Sequence, residues 1–225
     1  MNQLLTTLMA LVVASATGFA HAQAAPAAAA SAGAVPLQAR IAMCVGCHNI
    51  PGYQASFPEV HKVPMIAGQS AAYIEAALGA YKTGERRHPT MRSIADSLSE
   101  QDIKEIAAYY AKLGTDEPVA EQPSRQPGAQ VGALLQKGAC VSCHGANFSK
   151  PIAPNYPKIA GQHRDYLFVA LKSYKADPKG PVGRGNAVMG GIAKQFGNAE
   201  LKAMADYIGS LDGELETVPE SRFHK

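Results

Sequence analysis

Apolar residues recur at helical spacing in two stretches of the chain. Ile103, Ile106, Ala107, Tyr110 and Leu113 form one stripe, and Leu201, Met204, Ala205, Ile208 and Leu211 form another. Residues three and four apart share one face of an α-helix, so each stripe predicts an amphipathic helix with one buried side. Ser99 and Asp102 precede the first stripe at capping-box spacing, which supplies acceptors for the unpaired N–H groups of a first turn. Further helices are expected over 37–43, 70–82, 129–138 and 163–175. Alternation of Val, Ile and Thr with polar residues, the mark of half-buried strands, is absent, so the fold class is all-α.

The pattern occurs twice. Cys44-Val45-Gly46-Cys47-His48 returns as Cys140-Val141-Ser142-Cys143-His144, and Pro64-Met65-Ile66-Ala67-Gly68-Gln69 returns as Pro157-Lys158-Ile159-Ala160-Gly161-Gln162. Tyr73, Tyr81 and Lys82 have counterparts in Tyr166, Tyr174 and Lys175. Met91-Arg92-Ser93-Ile94-Ala95 matches Met189-Gly190-Gly191-Ile192-Ala193. The period is too long for a solenoid, so two tandem domains are expected, over 36–117 and 129–213. Residues 118–128 are Pro-rich and polar, the composition of an extended linker, and 214–225 read as a polar surface tail. Small helical units bury little core each, and a large apolar cofactor would make up the shortfall.

Leu4 to Ala14 is an apolar run followed by the small-x-small site Ala20-His21-Ala22, which predicts a leader over 1–22 cleaved near Ala22 and an Ala-rich tether over 23–35. No Lys or Arg precedes the run, a feature missing from a usual leader, but the run is shorter than the ~20 residues of a membrane span, so export to the periplasm is expected rather than an anchor. The net charge of +3 is too small for a nucleic-acid binder, and no basic run of phosphate-binding type occurs. The charge is uneven: residues 34–118 carry 8 basic and 9 acidic side chains, residues 119–225 carry 13 and 9. An electrically lopsided molecule follows.

All four cysteines lie in the two Cys-x-x-Cys-His motifs. Covalent attachment of haem c needs two thiols spaced to add across two vinyl groups and an imidazole directly after the second. A thioredoxin-like pair needs a βαβ context, which is absent. A zinc ribbon joins its pairs across about 15–20 residues, far fewer than separate these. A structural disulfide leaves the histidine after each pair unexplained. Cys44, Cys47, Cys140 and Cys143 are therefore expected to hold two haem c groups, with His48 and His144 as iron ligands.

With the later methionines and the repeated Pro-x-Ile-Ala-Gly-Gln, the chain resembles the c4-type di-haem cytochromes across nearly all of residues 36–212. That resemblance implies two class I cytochrome c domains, each wrapped around one haem. It implies Met91 and Met189 as the second axial ligands, and the carbonyls of Pro64 and Pro157 as acceptors for the ring N–H of the two histidines. For Met65 and Met204 packing is the expected role. His88 and His163 have Asn186 and Ser70 at the matching positions, so neither is expected to ligate; they, His61 and His224 read as solvated. Asn49 follows His48 where Gly145 follows His144, so the first loop is expected to run differently. Lys82, Arg86, Arg87 and Arg92 cluster near Met91, and Lys172, Lys175, Lys179, Arg184 and Lys194 near Met189. These could neutralise haem propionates, meet an acidic partner or simply face solvent.

A thioether is a soft, weak donor that favours Fe(II), and iron held on both faces offers no place for a substrate. The expected role is therefore a periplasmic electron carrier and not an enzyme. It would run between a quinol-oxidising complex or dehydrogenase and a terminal oxidase or reductase, with peripheral membrane association as a further possibility. The alternatives are the haem subunit of a dehydrogenase such as a flavocytochrome c, and a di-haem enzyme, for which no spare cysteine ligand exists.

Overall fold

A computed structural model describes residues 35–114 and 119–220. The first repeat supplies α1 (Leu37–His48), α2 (Ala71–Thr83), α3 (Pro89–Asp96) and α4 (Glu100–Lys112); the second supplies α5 (Ala129–Lys137), α6 (Cys140–His144), α7 (Arg164–Ser173), α8 (Ala187–Ala193) and α9 (Asn198–Ile208). The two predicted stripes are the buried faces of α4 and α9. Ile103, Ile106, Ala107 and Tyr110 are buried in the first core, and Leu201, Met204, Ala205 and Ile208 in the second. Full burial of each large side chain contributes about 1.5–3 kcal/mol. Around α4 the first core closes with Ile41 and Val45 of α1 and with Ile74 and Leu78 of α2.

The Ser99 box forms in full: Asp102 N–H donates to Ser99 Oγ at 3.1 Å, and Ser99 N–H donates to Asp102 Oδ2 at 2.9 Å. Asp102 also accepts from Arg40 of α1 at 2.5 Å, and Glu105 pairs with the same guanidinium, so the entry to α4 is tied to α1. The halves differ at the cysteines. In the first, one helix runs unbroken from Leu37 through His48, longer than expected. In the second, Ala139 adopts a left-handed conformation (φ 48°), which ends α5 and starts the short α6.

Two small antiparallel ladders occur among the described residues, each only two residues per strand. The first pairs β1 (Gln54–Ala55) with β2 (His61–Lys62) within the first half. The second pairs β3 (Arg86–Arg87) with β4 (Gly183–Arg184) across the halves. The β1–β2 hairpin lies against α7. Lys62 N–H donates to Asp165 at 3.0 Å, Glu59 pairs with Lys172, and the His61 ring stacks on Tyr166 with centroids 6.2 Å apart. His61 is thus only 5% exposed and not solvated as its sequence context suggested, because the hairpin carries it into the contact between halves.

The end of the chain also departs from expectation. Past Asp212 the backbone crosses back to the first half, where Glu216 N–H donates to Ala67 O at 3.1 Å. Leu215 is buried, Val218 packs on the first core, and Val218 O accepts from Asn49 Nδ2 at 2.7 Å. A polar composition hid two apolar anchors. The described linker residues lie along the second half instead: Ala120 O accepts from Asn147 Nδ2, and Arg125 O from the Tyr207 hydroxyl.

Candidate functional site

Each Cys-x-x-Cys-His motif ends in a buried or part-buried imidazole aimed at a proline carbonyl. His48 Nδ1–H donates to Pro64 O at 2.8 Å, and His144 Nδ1–H donates to Pro157 O at 3.1 Å. A carbonyl can only accept, so the proton sits on Nδ1 and the Nε2 lone pair is left for an electron-pair acceptor. Burial pulls both histidines below the usual imidazole range, against the raising effect of the carbonyl, and so favours the neutral ring. Burial also pushes the Cys44 thiol up to about 11, helped by neighbouring Cys47, and raises Cys140.

A cavity of about 720 Å³ runs through both halves. All four cysteines, His48, His144, Met91 and Met189 line it. Its walls include core residues such as Ile74, Leu78 and Ile106 from one half and Leu167, Leu171 and Ile208 from the other. The two methionines are presented alike. Each lies in the first turn of a short helix, and its N–H is taken by the capping residue: Met91 N–H by His88 Nδ1 at 3.4 Å, Met189 N–H by Asn186 Oδ1 at 3.0 Å. His88 therefore does the work of Asn186. Its other nitrogen donates to Phe57 O at 3.3 Å, so both ring nitrogens are engaged.

The cavity lining carries positive charge where the halves pair. Arg86 and Arg184 face one another on the paired strands β3 and β4. The Arg86 guanidinium lies over Tyr73 and Tyr81, at 5.4 and 5.5 Å from the ring centres, and donates to the Tyr73 hydroxyl at 2.6 Å. Arg184 repeats this over Tyr166 and Tyr174, at 5.7 and 5.4 Å, with the Tyr166 hydroxyl at 2.9 Å. Among the described residues neither guanidinium has a carboxylate partner. Two facing cations without an anion are unfavourable unless a ligand supplies one.

Several of the other predicted basic residues are engaged within the fold. Lys82 and Lys175 donate to Leu98 O and Phe196 O at equivalent places, Arg92 pairs with Asp96, and Arg87 binds three carbonyls of the 177–183 loop.

These features fit haem c. Paired thiols stand beside an imidazole with Nε2 open, thioethers project from capped helices, the walls are apolar, and uncompensated guanidiniums await carboxylates. The residues that sequence reasoning missed are Gln69 and Gln162, each 4% exposed and each bonded to the other half. Their place in a repeated motif was the available signal. The equal five-residue spacing of Arg86 to Met91 and of Arg184 to Met189 likewise marked that pair.

The cytochrome c family profile matches residues 129–212. Over 217 residues the chain is 30% identical to cytochrome c4 of Pseudomonas aeruginosa, covering 94% of this chain and all of that one. It is 29% identical to the thiosulfate dehydrogenase electron acceptor of Stutzerimonas stutzeri, over 77% of this chain and 81% of the relative. Among solved structures, cytochrome c4 of Acidithiobacillus ferrooxidans superposes with a TM-score of 0.58 at 29% identity, over 76% of this chain and 99% of that one. With the duplicated motifs folded around one cavity and a full-length relative at this identity, the chain belongs to the cytochrome c4 family of di-haem c-type cytochromes.

Proposed function

We propose that the chain is an exported one-electron carrier of the periplasm, in which His48 with Met91 and His144 with Met189 are the axial ligand pairs. Cys44 and Cys47 anchor one haem c through thioether bonds and Cys140 and Cys143 the other, within domains 36–117 and 129–213. Each haem supplies a reversible Fe(III)/Fe(II) couple. The protein's part is to hold, tune and shield it. Pro64 and Pro157 fix the tautomer and donor strength of the two imidazoles. Arg86 and Arg184, with their tyrosines, would pair with the haem carboxylates. The apolar walls keep water from both sites.

The observation that carries this reading is the neutral imidazole, Nδ1 spent on a proline carbonyl, opening on a cavity that also holds a capped methionine, twice over. Ligands on both faces argue for transfer and not for catalysis. The donor side is a dehydrogenase or quinol-oxidising complex and the acceptor a terminal oxidase or reductase; the similarity to a thiosulfate dehydrogenase electron acceptor favours a dehydrogenase as donor. Among the described residues no helix is long and apolar enough to cross a membrane.

A redox titration with spectra of the purified protein tests the proposal. Met91→Ala and Met189→Ala are each expected to remove the sulfur-to-iron charge-transfer band of one haem and lower its potential. Retention of the whole band by both variants overturns the ligand assignment.

A further inference from the structure

Gln69 and Gln162 reach across the molecule in a reciprocal clasp. Gln162 Nε2 donates to Met65 O at 2.9 Å, and Gln162 Oε1 accepts from Met65 N–H at 3.0 Å. Gln69 does the same to Lys158, with Nε2 to Lys158 O and Lys158 N–H to Oε1, both at 3.0 Å. Each amide oxygen also accepts the N–H of the next residue in its own chain, Ser70 or His163, which fixes the side chain before it crosses. Only backbone atoms of the partner residue are used. That explains why the repeated motif tolerates Met65 in one copy and Lys158 in the other.

The clasped residue is the one after the ligand-orienting proline. The N–H of Met65 belongs to the same planar peptide unit as Pro64 O, which accepts the His48 Nδ1–H. The N–H of Lys158 likewise shares its plane with Pro157 O, the acceptor for His144. An N–H that is itself hydrogen-bonded polarises its peptide and makes the carbonyl a better acceptor, strengthening the next bond by roughly 10–30%. It also fixes the direction in which that carbonyl points.

From this geometry, and resting on the ligand assignment proposed above, we infer that the two glutamines are crossed positioning residues: Gln162 of the second half tunes His48 of the first, and Gln69 of the first half tunes His144 of the second. A stronger carbonyl acceptor draws the Nδ1 proton, makes Nε2 a better donor and favours Fe(III). Loss of the clasp therefore shifts the crossed haem toward Fe(II). Each clasp spans 97 or 89 positions of the chain, and the contact surface becomes part of the redox tuning.

The test uses the full holoprotein with Gln162→Leu, Gln69→Leu, and Gln162→Glu, which keeps the acceptor for Met65 N–H but loses the donor to Met65 O. Solvent exchange of the two histidine Nδ1–H protons is followed by NMR in the ferrous state, and the two redox equilibria by titration. Gln162→Leu is expected to speed exchange at His48 and to move the first haem's equilibrium toward Fe(II), each by about threefold or more, with His144 unchanged. Gln69→Leu mirrors this, and Gln162→Glu, whose carboxylate is a stronger acceptor for Met65 N–H, is expected to keep exchange at His48 slow and to move the first haem's equilibrium toward Fe(III), opposite to Gln162→Leu. A response in the same half, an equal response in both, or none in either overturns the inference. If a leucine variant does not fold, Gln162→Glu still decides: a shift of the first haem alone toward Fe(III), with slow exchange kept at His48, supports the inference, and no shift or an equal shift of both haems refutes it. Failure of the ligand assignment looks different, since the wild type itself would then lack haem-bound imidazole signals.

Discussion

Asn49 offers the sharpest test of how the first site is held. Its side chain is 4% exposed and makes two hydrogen bonds: it accepts from the Tyr110 hydroxyl at 2.8 Å and donates to Val218 O at 2.7 Å. Asn49→Ala strands the Tyr110 hydroxyl, on a residue 1% exposed, at a cost of about 1–3 kcal/mol. The Val218 carbonyl is only half-buried and regains water, so losing that bond adds about 1 kcal/mol. The expected sum is about 2–4 kcal/mol. Tyr110→Phe removes one of the two bonds and leaves Asn49 Oδ1 unpaired, costing about 1–2 kcal/mol. In the double variant the bond is lost once, so the two effects fall short of additivity by about 1 kcal/mol. Urea unfolding of the ferric holoprotein, followed by far-UV circular dichroism, measures all four proteins; a shifted midpoint at constant slope reads as stability. An Asn49→Ala loss below about 0.5 kcal/mol, or strict additivity, refutes the account.

Gly68 has φ +78°, and a Cβ there would collide with Glu214 O, a backbone atom that cannot swing aside; Gly84 has φ +79° but only the tip of Arg92 nearby, at 3.9 Å. Thermal melts should therefore show Gly68→Ala destabilised well beyond the roughly 1–2 kcal/mol left-handed penalty expected for Gly84→Ala, and equal losses would argue against the docked C-terminal segment. Asp102 is held down to about 2 by the Ser99 hydroxyl and N–H and then by Arg40. Its stabilising effect is present above the ordinary carboxylate range and lost as pH falls through about 2, so Asp102→Asn should flatten the acid limb of stability between about pH 4 and 2 in a circular-dichroism titration. Arg87 donates to Gly180 O and Asp177 O, both at 2.8 Å, and to Val182 O at 3.4 Å. Arg87→Ala should free that loop and speed tryptic cleavage after Lys179, and unchanged cleavage would mean that the loop holds itself.

The helices and the chemistry of the site were legible because both obey local rules. A stripe at i, i+3, i+4 and i+7 fixes which face of α4 or α9 is buried, and two thiols before a histidine have few other uses. What stayed hidden depends on the meeting of the two halves. His61 has no periodic context, and its burial comes from Tyr166, far along the chain. Glu214 to Val218 looks like a tail because only Leu215 and Val218 are apolar, and a two-residue anchor carries no periodicity. His88 and Asn186 share a capping role that no residue-type match reveals, since a ring nitrogen and an amide oxygen accept the same bond. The departure at Asn49 was visible, but its two partners were not.

The returning C-terminal segment has a consequence for how damage to this molecule is read. Asn49 and Val218 are 169 residues apart, so the packing beside His48 is completed only by a segment far along the chain. Without that segment the N-terminal pocket is unfinished, whereas the C-terminal half has the 119–125 stretch laid along it. Clipping by a protease, a premature stop or a tag fused too tightly after Glu220 would register first at the N-terminal haem and not at the one nearest the lesion. A fault at the start of this cytochrome should be traced from its end.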